Sequence, residues 1–177
     1  MRLVCVLLAL SLAACGSGGS ARVDSLIEVE IIGLYDYPEG AIGVFLQGDD
    51  SRVVTIIIGP YEARALRLAM GKKDLPRPLA YDLLEDVLKQ TDSEIRHLVI
   101  HTLKDNVFHA ELVLNLPGGT NSLDCRPSDG MVIATRLEAP IYLTQEVMEK
   151  AGTHLLKPEK VRWNPPTEVR RFRPAAF

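Results

Sequence analysis

Three acidic residues in this 177-residue chain closely follow prolines, two of them after Arg-Pro. Glu62 follows Gly59-Pro60-Tyr61, Asp82 follows Arg77-Pro78-Leu79-Ala80-Tyr81, and Asp129 follows Arg126-Pro127-Ser128. Phosphodiester hydrolysis needs a positioned water, neutralisation of charge developing on phosphate oxygens, and help for the leaving oxygen. A carboxylate-held divalent ion, Mg²⁺ or Mn²⁺, supplies all three. Glu62, Asp82 and Asp129 are therefore candidate catalytic carboxylates, with Asp82 and Asp129 as metal ligands. Arg77 and Arg126 are candidate phosphate clamps, because guanidinium offers a bidentate fork. Ser128 joins them, since N–H groups at a helix start also favour anions. The alternative is structural: Glu62 and Asp129 serve their own helix dipoles and the arginines pair with them. A second candidate metal set is His101 and His109, with Glu111 nearby, on a sheet surface that could equally be polar and solvent-facing.

The elements that must carry these residues follow from hydrophobic period and turn chemistry. Ile27 to Tyr35, Ala41 to Leu46 and Arg52 to Ile58 read as three strands joined by Asp36–Gly40 and Gly48–Ser51, an antiparallel meander. Pro60 opens a helix with Ala63, Leu66 and Met70 on one side and Gly71 as its stop. A second helix starts at Arg77-Pro78 and runs to about Gln90, with Leu79, Leu83, Leu84, Val87 and Leu88 spaced for one face. Ile95 to Leu103 and Val107 to Leu116 form a hairpin around Lys104-Asp105-Asn106. A three-residue loop pairs Leu103 with Val107, Ile100 with Ala110 and Leu98 with Leu112, and sets His101 opposite His109. Ser122 to Arg126 is a strand, Pro127 starts a third helix, Pro140 to Leu143 is a short strand, and Thr144 caps a last helix ending near Gly152. The expected fold is α+β: a mixed or antiparallel sheet with three to four helices in a single compact domain, residues 27–156.

Composition bounds the rest. Apolar residues make up 47% and charged residues 24%, enough for one core and outside the disordered, collagenous and disulfide-stapled classes. Residues 1–14 have the charged start and short apolar middle of an export signal. They end Leu12-Ala13-Ala14-Cys15 before Gly16-Ser17-Gly18-Gly19-Ser20, which resembles the lipobox of bacterial lipoproteins. Cys15 is then the lipidation site, residues 15–26 a flexible tether, and the expected location the bacterial cell envelope, anchored in a membrane. An ordinary signal peptide with an incidental Cys15 is the alternative. Residues 157–177 form a basic, Pro-rich tail of six basic and two acidic side chains, with Trp163 and Phe172. It suits nucleic-acid phosphates, anionic headgroups or a solvated terminus. The net charge of −3 excludes a basic nucleic-acid coat.

Three strings, Ile58-Gly59-Pro60-Tyr61-Glu62-Ala63, Arg77-Pro78-Leu79-Ala80-Tyr81-Asp82-Leu83 and Arg126-Pro127-Ser128-Asp129, stand in this order with Val99-Ile100-His101 between the second and third. In order and spacing they resemble the bifunctional nuclease (BFN) domain family over roughly Ile27 to Gly152. The resemblance implies a compact α+β domain and cleavage of RNA and DNA. Two positions depart from the family's common pattern: Tyr81 stands where His is common, and Gly130 where Ala is common. A phenol with a pKa near 10 does not readily accept a proton at neutral pH. The competing expectation is a non-catalytic envelope lipoprotein that binds a protein partner or a small anionic ligand through the same cleft.

Overall fold

The computed structural model describes residues 26–71 and 76–154. Cys15, the tether and the basic tail lie outside the described residues. The chain runs β1 (Leu26–Asp36), β2 (Ile42–Gly48), β3 (Arg52–Ile58), α1 (Pro60–Gly71), α2 (Ala80–Gln90), β4 (Glu94–Lys104), β5 (Val107–Leu116), β6 (Gly119–Cys125), α3 (Pro127–Arg136), β7 (Ile141–Thr144), α4 (Gln145–Ala151) and β8 (Thr153–His154). The strands form one sheet in the order β6-β5-β4-β7-β1-β2-β3-β8. Only β4 and β7 pair in parallel, because α3 carries the chain back between them; every other neighbour is antiparallel. The mixed sheet and four helices give the expected α+β domain. β8 is an added edge strand, pairing Arg52 with His154 and Val53 with Thr153.

Alternation along the strands decides which face holds the helices. Val44, Leu46, Val54, Leu98, Ile100, Leu143 and their neighbours point to one side and meet Leu66 of α1, Met131 and Val132 of α3, and Val147 and Met148 of α4, all buried. Helix α3 lies deepest: Pro127, Ser128, Gly130, Met131, Val132, Ile133 and Ala134 are all buried. It packs on β4 and β5 and carries α1 on its flank. Helix α2 is peripheral, with Leu88 its one buried residue. It starts at Ala80, not at Pro78, since Leu79 keeps the extended backbone of a cap.

The β4–β5 hairpin corrects one expectation. Ile100 does pair with Ala110 and Leu98 with Leu112, but Lys104 pairs with Val107 and Leu103 with Phe108. The loop is the two residues Asp105-Asn106, both at positive φ (49° and 61°), the conformation that suits Asp and Asn and matches strand twist. A bulge at His101 restores the apolar register, so His109 faces Thr102 instead of His101. The bulge is tied down: Thr144 Oγ1 donates to the His101 carbonyl at 2.9 Å and accepts from Val147 N–H at 3.4 Å, capping α4.

Close approach of α3 to the sheet requires Gly130. A Cβ there would meet Leu98 Cδ1 and would stand 3.1 Å from Cys125 Sγ. Gly130→Ala should therefore lower stability by about 1 kcal/mol, because overpacking of ~1–3 kcal/mol exceeds the ~1 kcal/mol gain in helix propensity. In a Leu98→Val background, which lacks the obstructing Cδ atoms, the same change should no longer destabilise. Urea melts of the four proteins check this; equal effects in both backgrounds would contradict the stated contact.

Candidate functional site

The starts of α1, α2 and α3 meet through side chains. Arg126, the residue before α3, donates from Nε to Asp129 Oδ2 at 2.7 Å and from Nη2 to Asp129 Oδ1 at 3.2 Å. Its Nη1 stands 3.2 Å from Glu62 Oε1 in the first turn of α1. Tyr81, at the start of α2, donates its hydroxyl to Asp129 Oδ1 at 2.7 Å. The four residues thus join three elements. Local rules explain each placement: prolines at 60 and 127 suit the first helical position, and an acid in the first turn meets unpaired N–H groups and the positive end of the dipole.

Exposure is uneven within the cluster. The Glu62 and Asp129 side chains retain 22% and 28% of their accessible surface, whereas Arg126 retains 67%. Each guanidinium nitrogen therefore meets a carboxylate, and two of its five N–H groups, one on each Nη, are left over on a largely exposed side chain. Partial burial pushes the Asp129 carboxyl up, but hydrogen bonds from Arg126 and Tyr81 and the charge of Arg126 outweigh it and hold the group below 3.8. Burial, then the hydrogen bond to Asp129 and its negative charge, push the Tyr81 phenol above its ordinary 10.0. At neutral pH Asp129 is an acceptor and Tyr81 a donor, so Tyr81 is no proton-accepting substitute for a histidine.

The three carboxylates named from the sequence divide two and one. Asp82 accepts from Leu79 N–H at 2.6 Å through Oδ2, closing the start of α2, and its Oδ1 takes Arg136 Nη2. Arg136 also reaches Glu85 Oε2 at 3.2 Å. It lies seven residues after Asp129 on the same helix, about 10 Å along the axis. Asp82 thus belongs to an α2–α3 clasp beside the Arg126 cluster. Ser128 is 8% exposed, leaving little surface for a phosphate. Arg77 is exposed in the segment before α2. Arg136 and Glu85 went unnamed in the sequence reading; the spacing of Arg136 from Asp129 along α3 was the available signal.

His101 Nε2 is 3.9 Å from Glu111 Oε1 and has no hydrogen-bond partner, while Nδ1 lies 3.0 Å from Thr102 Oγ1. His109 is exposed and displaced by the bulge. Among the described residues, no three His, Cys, Asp or Glu side chains stand together as a metal-holding group. Cys125 is half-buried, and burial followed by the charges of Asp124 and Asp129 pushes its thiol up to about 11, so it is no ready thiolate.

The bifunctional nuclease domain model matches residues 44–155, which include all four members of the Arg126 cluster. The chain belongs to the bifunctional nuclease domain family. An uncharacterized protein of Mycobacterium tuberculosis is 30% identical over 145 residues, covering 81% of this chain and 85% of that protein. Bifunctional nuclease 2 of Arabidopsis thaliana is 26% identical over 127 residues, 70% of this chain and 39% of the relative. Bifunctional nuclease 1 of Oryza sativa subsp. japonica is 24% identical over 124 residues, 68% of this chain and 38% of the relative. In this BFN chain the three strings picked out in the sequence supply all four residues of the cluster and, of the adjoining clasp, Asp82.

Tyr81→Phe removes one donor from Asp129 and should cost about 1 kcal/mol at neutral pH. Because the folded carboxyl sits below its unfolded value, its contribution is present above about pH 4 and is lost as pH falls below 3.8. The variant, with a smaller depression, should lose less stability between neutral and acid pH than the parent. Denaturant melts across this range check the sign; an unchanged acid-side slope would contradict the Tyr81–Asp129 bond.

Proposed function

We propose that this BFN chain is a nuclease that hydrolyses phosphodiester bonds of RNA or DNA at the Arg126 cluster, as the domain of a membrane-tethered lipoprotein. One observation carries the reading: a largely exposed guanidinium held by two carboxylates where three helix starts meet. The remaining Nη N–H groups of Arg126 suit a non-bridging phosphate oxygen, and helix starts add partial positive charge. Asp129, ionised at neutral pH, is suited to orient a water, and the Tyr81 hydroxyl fixes its angle. Arg77 is available as a second phosphate contact.

Glu62 and Asp129 are the residues that would hold Mg²⁺ or Mn²⁺. Both already face a cation in Arg126, and such an ion needs only one or two carboxylates, because it keeps several waters and takes its other ligands from substrate phosphate. Bound there, the ion would neutralise phosphate charge and lower the pKa of a coordinated water. The domain's acidic balance makes such added positive charge useful for a polyanion, whose affinity comes mainly from neutralised phosphates.

The second reading is a non-catalytic envelope lipoprotein that binds a partner or small anionic ligand in the same place. It is favoured by the pairing of Glu62, Asp82 and Asp129 with arginines in the free protein. Labelled single-stranded RNA and DNA incubated with Mg²⁺, Mn²⁺ or chelator separate the two. The nuclease reading expects metal-dependent cleavage that falls at least a hundredfold in both Arg126→Ala and Asp129→Ala, roughly the loss of one preorganised charged group. Intact substrate under every condition would contradict it.

A further inference from the structure

We infer that Tyr61 is a stacking platform for an unpaired nucleobase beside the phosphate held by Arg126, so that the substrate is single-stranded. The inference rests on the reading of the Arg126 cluster given above and extends it from the phosphate to the base. Tyr61 is the most exposed of the large hydrophobic side chains among the described residues, at 84%. It occupies the second position of α1, next to Glu62, whose carboxylate bonds Arg126. Its backbone is therefore about 3.8 Å from that of a cluster member. The first turn of α1 is fixed by the Glu62–Arg126 contact and by Ala63 N–H bonding the Gly59 carbonyl at 3.0 Å. A ring so placed is carried on a rigid mount.

The Tyr81–Asp129 bond ties the start of α2 to the same cluster. Leu79, the cap of α2, is 43% exposed and precedes Tyr81 by two residues. Arg126 is largely exposed with an N–H left over on each Nη, and Arg77 is exposed in the same α2 entry. An aromatic face beside cationic phosphate contacts is the composition of a single-strand groove, in which bases stack and the backbone tracks positive charge. In a duplex both faces of each base are covered by neighbours, so such a ring has no free face to meet. Stacking reads the base plane and not the sugar, so ribose and deoxyribose strands should bind alike.

The test uses the full-length protein and a cleavage-resistant, fluorescently labelled phosphorothioate hexanucleotide, with binding read by anisotropy in the presence and absence of Mg²⁺. Tyr61→Ala should weaken binding about tenfold, the loss expected for one stacked base. Tyr61→Trp should restore it. An abasic strand of the same length should bind the parent and the Ala variant alike, and a duplex should bind the parent more weakly than the single strand. Unchanged single-strand affinity in Tyr61→Ala, or an equal loss on the abasic strand, overturns the inference. Failure of the nuclease reading has a different signature: ring-dependent binding with no cleavage of an ordinary phosphodiester strand under any metal condition would uphold the stacking site and reject hydrolysis.

Discussion

The guanidinium of Arg126 is shared between carboxylates from two helices, Asp129 on its own α3 and Glu62 on α1, and Asp129 is shared again with the hydroxyl of Tyr81 on α2. Ion pairs at a protein surface stabilise little on their own. What distinguishes this one is that both carboxylates are less than one-third exposed while the arginine is two-thirds exposed, so the pairing orients a charge toward solvent instead of neutralising it out of reach. The same contacts set the protonation states: Asp129 stays ionised and Tyr81 stays a donor.

Positioning depends on α3, and α3 depends on packing. Seven of its ten residues are buried against the sheet and α1. Gly130 permits that approach by leaving room for Leu98 and Cys125. One turn of helix separates this contact from Arg126, so a displacement of α3 would shift the guanidinium relative to Glu62. On the far side Arg136 clasps Asp82 and Glu85, fixing α2, whose own burial is slight, at the angle that brings Tyr81 to Asp129. Asp82 thereby contributes to the site through orientation of its neighbour.

Much of this was legible in the residues. Pro60 and Pro127 marked helix starts because proline suits that position, and the meander and the pairing of Leu98 with Leu112 followed from alternation. Glu62, Arg126 and Asp129 stand in the family strings, but their convergence is visible only in three dimensions. Two features escaped. The His101 bulge did, because a two-residue loop plus one extra residue leaves the same apolar pairs as a three-residue loop. The separation of Asp82 did as well, because its partner Arg136 lies 54 positions away and no local rule links them.

The central claim is that Arg126 presents its remaining Nη N–H groups to a phosphate. The direct measurement follows the ¹⁵N–¹H resonances of the Arg126 Nη groups, assigned through an Arg126→Lys variant, during titration with a cleavage-resistant single strand. The account predicts a saturable shift of the Arg126 signal, with Arg136, clasped between Asp82 and Glu85, staying in place. A strand that saturates the protein while the Arg126 signal does not move would contradict it.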